Sequence, residues 1–245
     1  MDFFPDRFQR YHEPFFGGGA VFFWLRPDDA VLSDINGDLI NVYAQIRDCW
    51  EEILIGLERH QKLHCKAHFY DVRAQEPSEP IERAVRFIYL NRTCWNGLYR
   101  VNKSGKFNVP IGTKDRVLMS DDFARISRDL KKAQLTSGDF EPIIARAGTG
   151  DLIYVDPPYT VKHNNNGFIK YNENIFSWDD QERLASSVRA AVARGVQVMV
   201  SNADHDSVRE LYAGVGEIIR IGRSSVIAGS SVARGSVGEV LIRCW

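Results

Sequence analysis

Leu152-Ile153-Tyr154-Val155-Asp156-Pro157-Pro158-Tyr159 is the stretch that decides the fold. Its four uninterrupted apolar residues predict a strand covered on both faces, as in the middle of a parallel sheet. Asp156-Pro157-Pro158 then ends it, because proline has no N–H to give to a ladder and holds the preceding residue extended. The carboxyl end of the strand therefore carries a carboxylate, a stiff pair of carbonyls and the ring of Tyr159. Open α/β sheets keep their ligands at that end. A flat ring bearing an exocyclic amino group suits these groups. Asp156 and the Pro157 carbonyl would each accept one amino hydrogen, and Tyr159 would stack on the ring face. The competing reading is a turn after a core strand, with Tyr159 as its cap.

Outward from this strand the chain reads as a doubly wound α/β sheet. Residues 10–16 predict a first strand, Gly17-Gly18-Gly19 a turn, and residues 20–25 the start of an apolar helix. Glycine lets the backbone approach a ligand closely at such a turn, with a helix N-terminus beneath it. Residues 30–33 predict a second strand with Asp34 at its carboxyl end. An acid roughly 20 residues after a glycine turn is placed to hold ribose hydroxyls. Capping the next helix is its other reasonable role, since Asp34-Ile35-Asn36-Gly37 is turn chemistry, but the glycines and the acid at this spacing together favour a ribose-containing cofactor. Further on, the pattern predicts a helix over residues 121–132, a strand over 134–137, and then Gly138-Asp139-Phe140. A polar loop over residues 163–167 lies beside the site. Ser177 caps a helix running to Arg194, with Asp180 in the capping-box position and Gly195 as its stop. A strand over 196–200 closed by Ser201-Asn202, a short helix over 205–212 and an antiparallel pair (217–221 and 237–242) complete the sheet.

The middle of the chain is organised differently. Leu39, Tyr43, Ile46, Trp50, Ile53 and Leu57 step at helical spacing and predict one long amphipathic helix. After a polar stretch, Ser78 and Pro80 start a second helix through Asn91, with Ile81, Val85 and Ile88 inward. Gly97, Gly105, Pro110 and Gly112 then break residues 93–113 into loops, with Lys103-Ser104-Gly105 as a hairpin turn. A loop this rich in aromatics, amides and bases is a recognition surface, unless Trp95 and Phe107 form its own small core. The net charge of −1 excludes a generally basic coat. From Arg83 to Arg116, however, eight basic residues stand against one acid, Asp115. Such a stripe is either the footprint of a phosphate backbone or a solvated helix face.

At 245 residues the chain is one large domain or one domain with an insertion. Cys49, Cys65, Cys94 and Cys244 are scattered, without a Cys-x-x-Cys pair, and read as thiols of a reducing cytosol. With no apolar run of membrane-spanning length and no signal-peptide pattern, the expected location is cytoplasmic, without membrane or metal.

The residues Glu13-Pro14-Phe15-Phe16-Gly17-Gly18-Gly19, Asp34-Ile35-Asn36, the run from Asn91 to Arg100 with its continuation from Gly105 to Pro110, and Asp156-Pro157-Pro158-Tyr159 occur in this order. In this the chain resembles the Dam-type adenine-specific DNA methyltransferases, from Glu13 to the final strand. The resemblance implies a catalytic domain over 1–36 and 133–245, and an inserted, mainly helical target-recognition lobe over 37–132. S-adenosyl-L-methionine would be held by Glu13, Phe15, Gly17, Gly19, Asp34 on its ribose, Asp139 near its adenine, Phe140 and Asp156. Asp156, Pro157, Pro158 and Tyr159 would form the catalytic pocket for a flipped adenine. Double-stranded DNA would be met by Arg92, Trp95, Asn96, Leu98, Arg100, Asn102, Lys106, Asn108 and Pro110. Trp95 stands at the family's wedge position, and Leu98 and Arg100 at base-reading ones. Unstacking needs a flat apolar wedge, and arginine matches the two acceptors of guanine.

The implied site is GATC or contains GAT, and nothing in the sequence identifies a cognate restriction enzyme. Family members carry an upstream segment ending in Gly-Gly-Lys that has no counterpart before Glu13. Its lack leads us to expect weak cofactor binding and low activity. Three rivals stand: a methyltransferase for protein amides or RNA, a nicotinamide oxidoreductase, and a non-catalytic DNA-binding relative. The first disagrees with the loop over 93–113, and the second leaves Asp156–Tyr159 unexplained.

Overall fold

The computed structural model describes residues 3–102, 104–161, 176–222 and 238–245. In chain order the elements are β1 (Tyr11–Glu13), α1 (Ala20–Leu25), β2 (Ala30–Asp34), α2 (Gly37–Leu63), α3 (Lys66–Ala74) and α4 (Pro80–Thr93). Then follow α5 (Phe123–Leu130), β3 (Ala133–Ser137), α6 (Glu141–Arg146), β4 (Leu152–Val155), α7 (Trp178–Ala193), β5 (Gln197–Ala203), α8 (Asp206–Leu211), β6 (Glu217–Ile221) and β7 (Glu239–Cys244).

The seven strands form one sheet in the order β3-β2-β1-β4-β5-β7-β6. β4, buried along its whole length, lies between β1 and β5 and is parallel to both. Leu152 pairs with Tyr11 on one side and Gln197 on the other. β7 runs antiparallel between β5 and β6. This is the mostly parallel α/β sheet with an antiparallel last strand that the sequence predicts.

The chain folds as two compact units, residues 1–35 with 138–245, and residues 36–137. In the first, Ile153, Val155, Val198 and Val200 pack against Leu184, Ala185 and Val188 of α7 and Ile144 of α6. In the second, α2 packs along α4, with Ile53, Leu57, Ala84 and Tyr89 buried.

Several boundaries depart from the sequence reading for identifiable reasons. β1 ends at Glu13 because Pro14 brings no N–H to the ladder. The long helix is interrupted at Cys49 (φ −142°, ψ 44°), where no residue type demands a break. The polar stretch after it holds α3, capped by the Cys65 sulfur. α5 starts two residues later than predicted, since Asp122 caps it and Asp121 is bound to Arg92. α6, seeded by Pro142 in its first turn, was not expected. β5 does not close at Ser201-Asn202 but runs on to Ala203, paired with β7 throughout. The loop over 163–167, Lys103 and Val237 lie outside the described residues. Among those described, no helix is long and apolar enough to cross a membrane. No group of three or more His, Cys, Asp or Glu there is arranged to hold a metal ion.

Candidate active site

The carboxyl ends of β1, β2 and β4 build the site in the first unit. After β1 the chain turns through Phe16, whose N–H donates to the Ser33 carbonyl (2.8 Å) and whose ring is buried. Gly19 (φ +64°) closes the turn on the Phe16 carbonyl (2.7 Å). A Cβ there would sit 2.6 Å from the Phe16 ring, so only glycine fits. Gly17 and Gly18 face open space, where a Cβ would touch nothing within 4 Å. Asp34 takes the Gly17 N–H on its Oδ2 (2.9 Å), tying the end of β2 to the glycine turn. The role of capping α2 falls to Asn36, whose Oδ1 accepts from Asp38 and Leu39. Of the two sequence readings of Asp34, helix capping is thus excluded.

Glu13 is turned inward, 3% exposed, and accepts from the Tyr11 hydroxyl (2.8 Å). Burial pushes its carboxyl up to about 8, and the charge of Asp156 adds to this. Tyr11 is raised well above its ordinary value, also chiefly by burial.

Phe15 stacks on Phe140 (5.3 Å, 28°) and meets Phe176 edge-on (5.5 Å). Beside this aromatic group Asp139 accepts from the Glu141 N–H (2.9 Å) and takes a two-pronged ion pair from Arg183 of α7 (2.9 and 2.8 Å). The hydrogen bond from Arg183 is the largest influence holding the Asp139 carboxyl below its ordinary value.

At the end of β4, Asp156 is exposed while Pro157 is buried beneath it. The turn is braced from behind. The Pro158 carbonyl accepts from Gln181 (3.4 Å), whose Oε1 accepts from Asn202 (3.1 Å), and both amides are fully buried. The Tyr159 hydroxyl shares a hydrogen bond with Ser201 (3.1 Å), fixing the ring. No backbone donor reaches the Pro157 carbonyl among the described residues. Gln181, Arg183, Ser201 and Asn202 were absent from the sequence-derived site. Ser201-Asn202 reads as a strand stop, and only the i,i+3 spacing of Asp180 and Arg183 signals their pairing.

In this unit the donor set is carboxylates at strand ends, an open glycine turn and aromatic rings. It fits a ligand with hydroxyl groups, a flat base and a positive charge.

The second unit holds the loop over residues 93–113. Cys94 bridges Ile111 and Val101 bridges Phe107, while the Trp95 N–H donates to the Pro110 carbonyl (2.9 Å). A Cβ at Gly112 would stand 2.6 Å from the Cys94 carbonyl, so the two passes of chain require glycine. Phe107 is buried as the loop's own core, beside Tyr99. Trp95 is not part of it: it is 52% exposed, at the head of a 3-10 turn (Trp95–Gly97) with Asn96 left-handed (φ +55°). Leu98, Arg100 and Pro110 are exposed alongside.

The polar residues of this loop divide into two kinds. The Arg92 guanidinium is bound to Asp121 (2.8 and 2.8 Å) and to the Val117 carbonyl (2.9 Å). The Asn102 Oδ1 closes the hairpin by accepting from Ser104 and Lys106, and Lys106 pairs with Glu76 (2.5 Å). Arg100 is held by its Nε on Asn108 Oδ1 (2.8 Å), and its two Nη nitrogens donate to nothing among the described residues.

Residues 1–227 match the family model described as D12 class N6 adenine-specific DNA methyltransferase. The chain is 35% identical to the type II methyltransferase M1.LlaDCHI of Lactococcus lactis subsp. cremoris, over 97% of this chain and 87% of that protein. It is 33% identical to the type II methyltransferase M.MjaIII of Methanocaldococcus jannaschii, covering 84% of this chain and 78% of that one. With the DNA adenine methylase of Escherichia coli strain K12 the identity is 31%, over 94% and 84%.

Proposed function

Since the chain belongs to the D12 class of N6 adenine-specific DNA methyltransferases, we propose that it methylates the amino group of adenine in duplex DNA from S-adenosyl-L-methionine, after the adenine leaves the base stack. The observation that carries this reading is the turn after β4, where Asp156 is exposed and Pro158 and Tyr159 are braced from behind by Gln181 and Ser201.

Gly17, Asp34, Asp139 and Phe140 hold the cofactor, with Asp34 on the ribose hydroxyls and Asp139 at the adenine. When bound, S-adenosyl-L-methionine supplies a methyl group on a positively charged sulfur, an electrophile that needs no further activation. The protein then contributes alignment and electrostatics. Asp156 and the Pro157 carbonyl each accept one hydrogen of the target amino group, aiming its lone pair along the transfer line. The C–N bond would form as the sulfur–methyl bond breaks, the Asp156 carboxylate would stabilise the positive charge growing on that nitrogen, and one amino proton would then leave to solvent. Tyr159 stacks on the flipped ring and offsets part of the few kcal/mol that unstacking costs. Trp95 acts as the wedge, and Leu98 and Arg100 read the site, which is GATC or contains GAT. Arg92, Asn102 and Lys106 act on the DNA through the loop they brace.

The test is incubation of the chain and its D156A variant with labelled cofactor and plasmid DNA, with methylated positions mapped by sequencing. Wild type should label adenine within one short motif, and D156A should lose transfer while keeping duplex affinity. A variant that keeps more than about a tenth of the rate, a barrier change below ~1.4 kcal/mol, removes Asp156 from the chemistry.

A further inference from the structure

The start of α6 and the first turns of α7 meet around one guanidinium. Arg183 donates from Nη1 to Asp139 Oδ1 (2.9 Å) and Glu141 Oε2 (2.8 Å), and from Nη2 to Asp139 Oδ2 (2.8 Å) and Asp180 Oδ1 (3.0 Å). Its central carbon also lies 4.3 Å from the centroid of the Phe140 ring. All four Nη hydrogens are thus engaged by three carboxylates. One cation for three anions is more than a surface ion pair requires, and such pairs contribute little to stability.

What the arrangement does achieve is orientation. An ionised carboxylate has about four acceptor directions. In Asp139, Oδ1 receives Arg183 Nη1 and the Glu141 N–H, and Oδ2 receives Arg183 Nη2. One direction remains, on Oδ2, among the described residues. The fork geometry of arginine fixes where that direction points. Phe140 beside it is buried, with the guanidinium and the Phe15 ring both packed against it.

We propose that Arg183 is a positioning residue for the adenine end of the cofactor: it turns Asp139 so that its one remaining acceptor direction takes a hydrogen of the adenine amino group. The inference rests on the reading of Asp139 and Phe140 as the adenine subsite. Arg183 itself does not touch the cofactor. A base carrying a carbonyl in place of that amino group would set acceptor against acceptor and be rejected.

Calorimetric titration of the whole chain with S-adenosylhomocysteine and with its inosine counterpart tests this, on wild type, R183M, R183K and D139A. R183M should bind S-adenosylhomocysteine about 10- to 100-fold more weakly, the size of one or two misaligned charged hydrogen bonds. Its preference for the adenosine compound over the inosine one should shrink, and in turnover the loss should fall on KM for the cofactor rather than on kcat. R183K keeps the charge without the fork and should recover only part of the affinity. If D139A weakens binding and R183M does not, the positioning role is wrong and the subsite stands. If D139A itself binds normally, the subsite reading fails, and the inference with it. Should R183M not fold, R183K decides alone, and wild-type affinity and base preference in that variant overturn the proposal.

Discussion

Glu13 shows how a single carboxyl group can tie stability to pH. Its ordinary value is 4.5, and burial, with the Asp156 charge adding, lifts it to about 8 in the folded chain. The folded state therefore holds a proton between those values that the unfolded state has released. A raised folded value gives stability that is complete below about 4.5, fades as pH rises, and is gone above about 8. Wild type should lose Tm between pH 6 and pH 8.5, and E13Q, which cannot ionise, should lose less. The gap at the higher pH should reach at least about 2 °C, equivalent to roughly 1 kcal/mol in a chain of this size. Parallel melting curves for the two proteins would remove Glu13 as the titrating group. At this scale the sequence was legible in part. Asp34, Asp156 and the glycine turn are marked by residue type and spacing. Glu13 as a buried, proton-holding acid is not, because its environment is made by Tyr11 beside it and by Asp156, distant in the chain.

Among the elements, α7 links the most parts of the site. Ser177 and Asp180 form a complete capping box, with the Ser177 hydroxyl on the Asp180 N–H (3.2 Å) and Asp180 on the Ser177 N–H (2.9 Å). The same two turns carry Gln181 toward the Pro158 carbonyl and Arg183 toward Asp139. Replacing Ser177 by alanine should cost about 1 kcal/mol in urea unfolding. Because the cap holds the first turn, cofactor affinity should fall with it. Unchanged stability in S177A would show that neighbouring contacts, not the cap, fix this end. The cap was readable from sequence because capping is local chemistry. The extension of β5 through Ser201-Asn202 was not. Two polar residues look like a strand stop, yet Asn202 is satisfied by Gln181 and by the Ala203 N–H (2.8 Å), and β7 continues the ladder beside it. α3 carries no conventional start signal, because its cap is the Cys65 sulfur, an uncommon capping group.

For the whole molecule, the question is how a chain of net charge −1 engages a polyanion with specificity. The run of basic residues read from the sequence resolves into different roles. Arg83 pairs with Asp38, Arg92 with Asp121 and Lys106 with Glu76, while Arg86 donates to the carbonyls of Val72 and Arg73. These cations brace the second unit, and their partners are distant in sequence, so the run alone could not reveal them. Arg100 differs. Asn108 holds it by Nε, which leaves the paired Nη nitrogens that a guanine O6 and N7 require. R100A should therefore weaken binding to a cognate duplex by about 1–3 kcal/mol and hardly change binding to unrelated duplexes. The slope of affinity against salt should stay nearly the same, since no phosphate contact is removed. R92A should act in the opposite manner: it strands Asp121 without its partner, lowers stability, and leaves the ratio of cognate to unrelated affinity unchanged in whatever protein remains folded. Titrations of both variants with the two duplexes at several salt concentrations separate the roles. If R100A loses affinity equally on both duplexes and its salt slope falls by about one, Arg100 is a phosphate contact and specificity is carried by other residues.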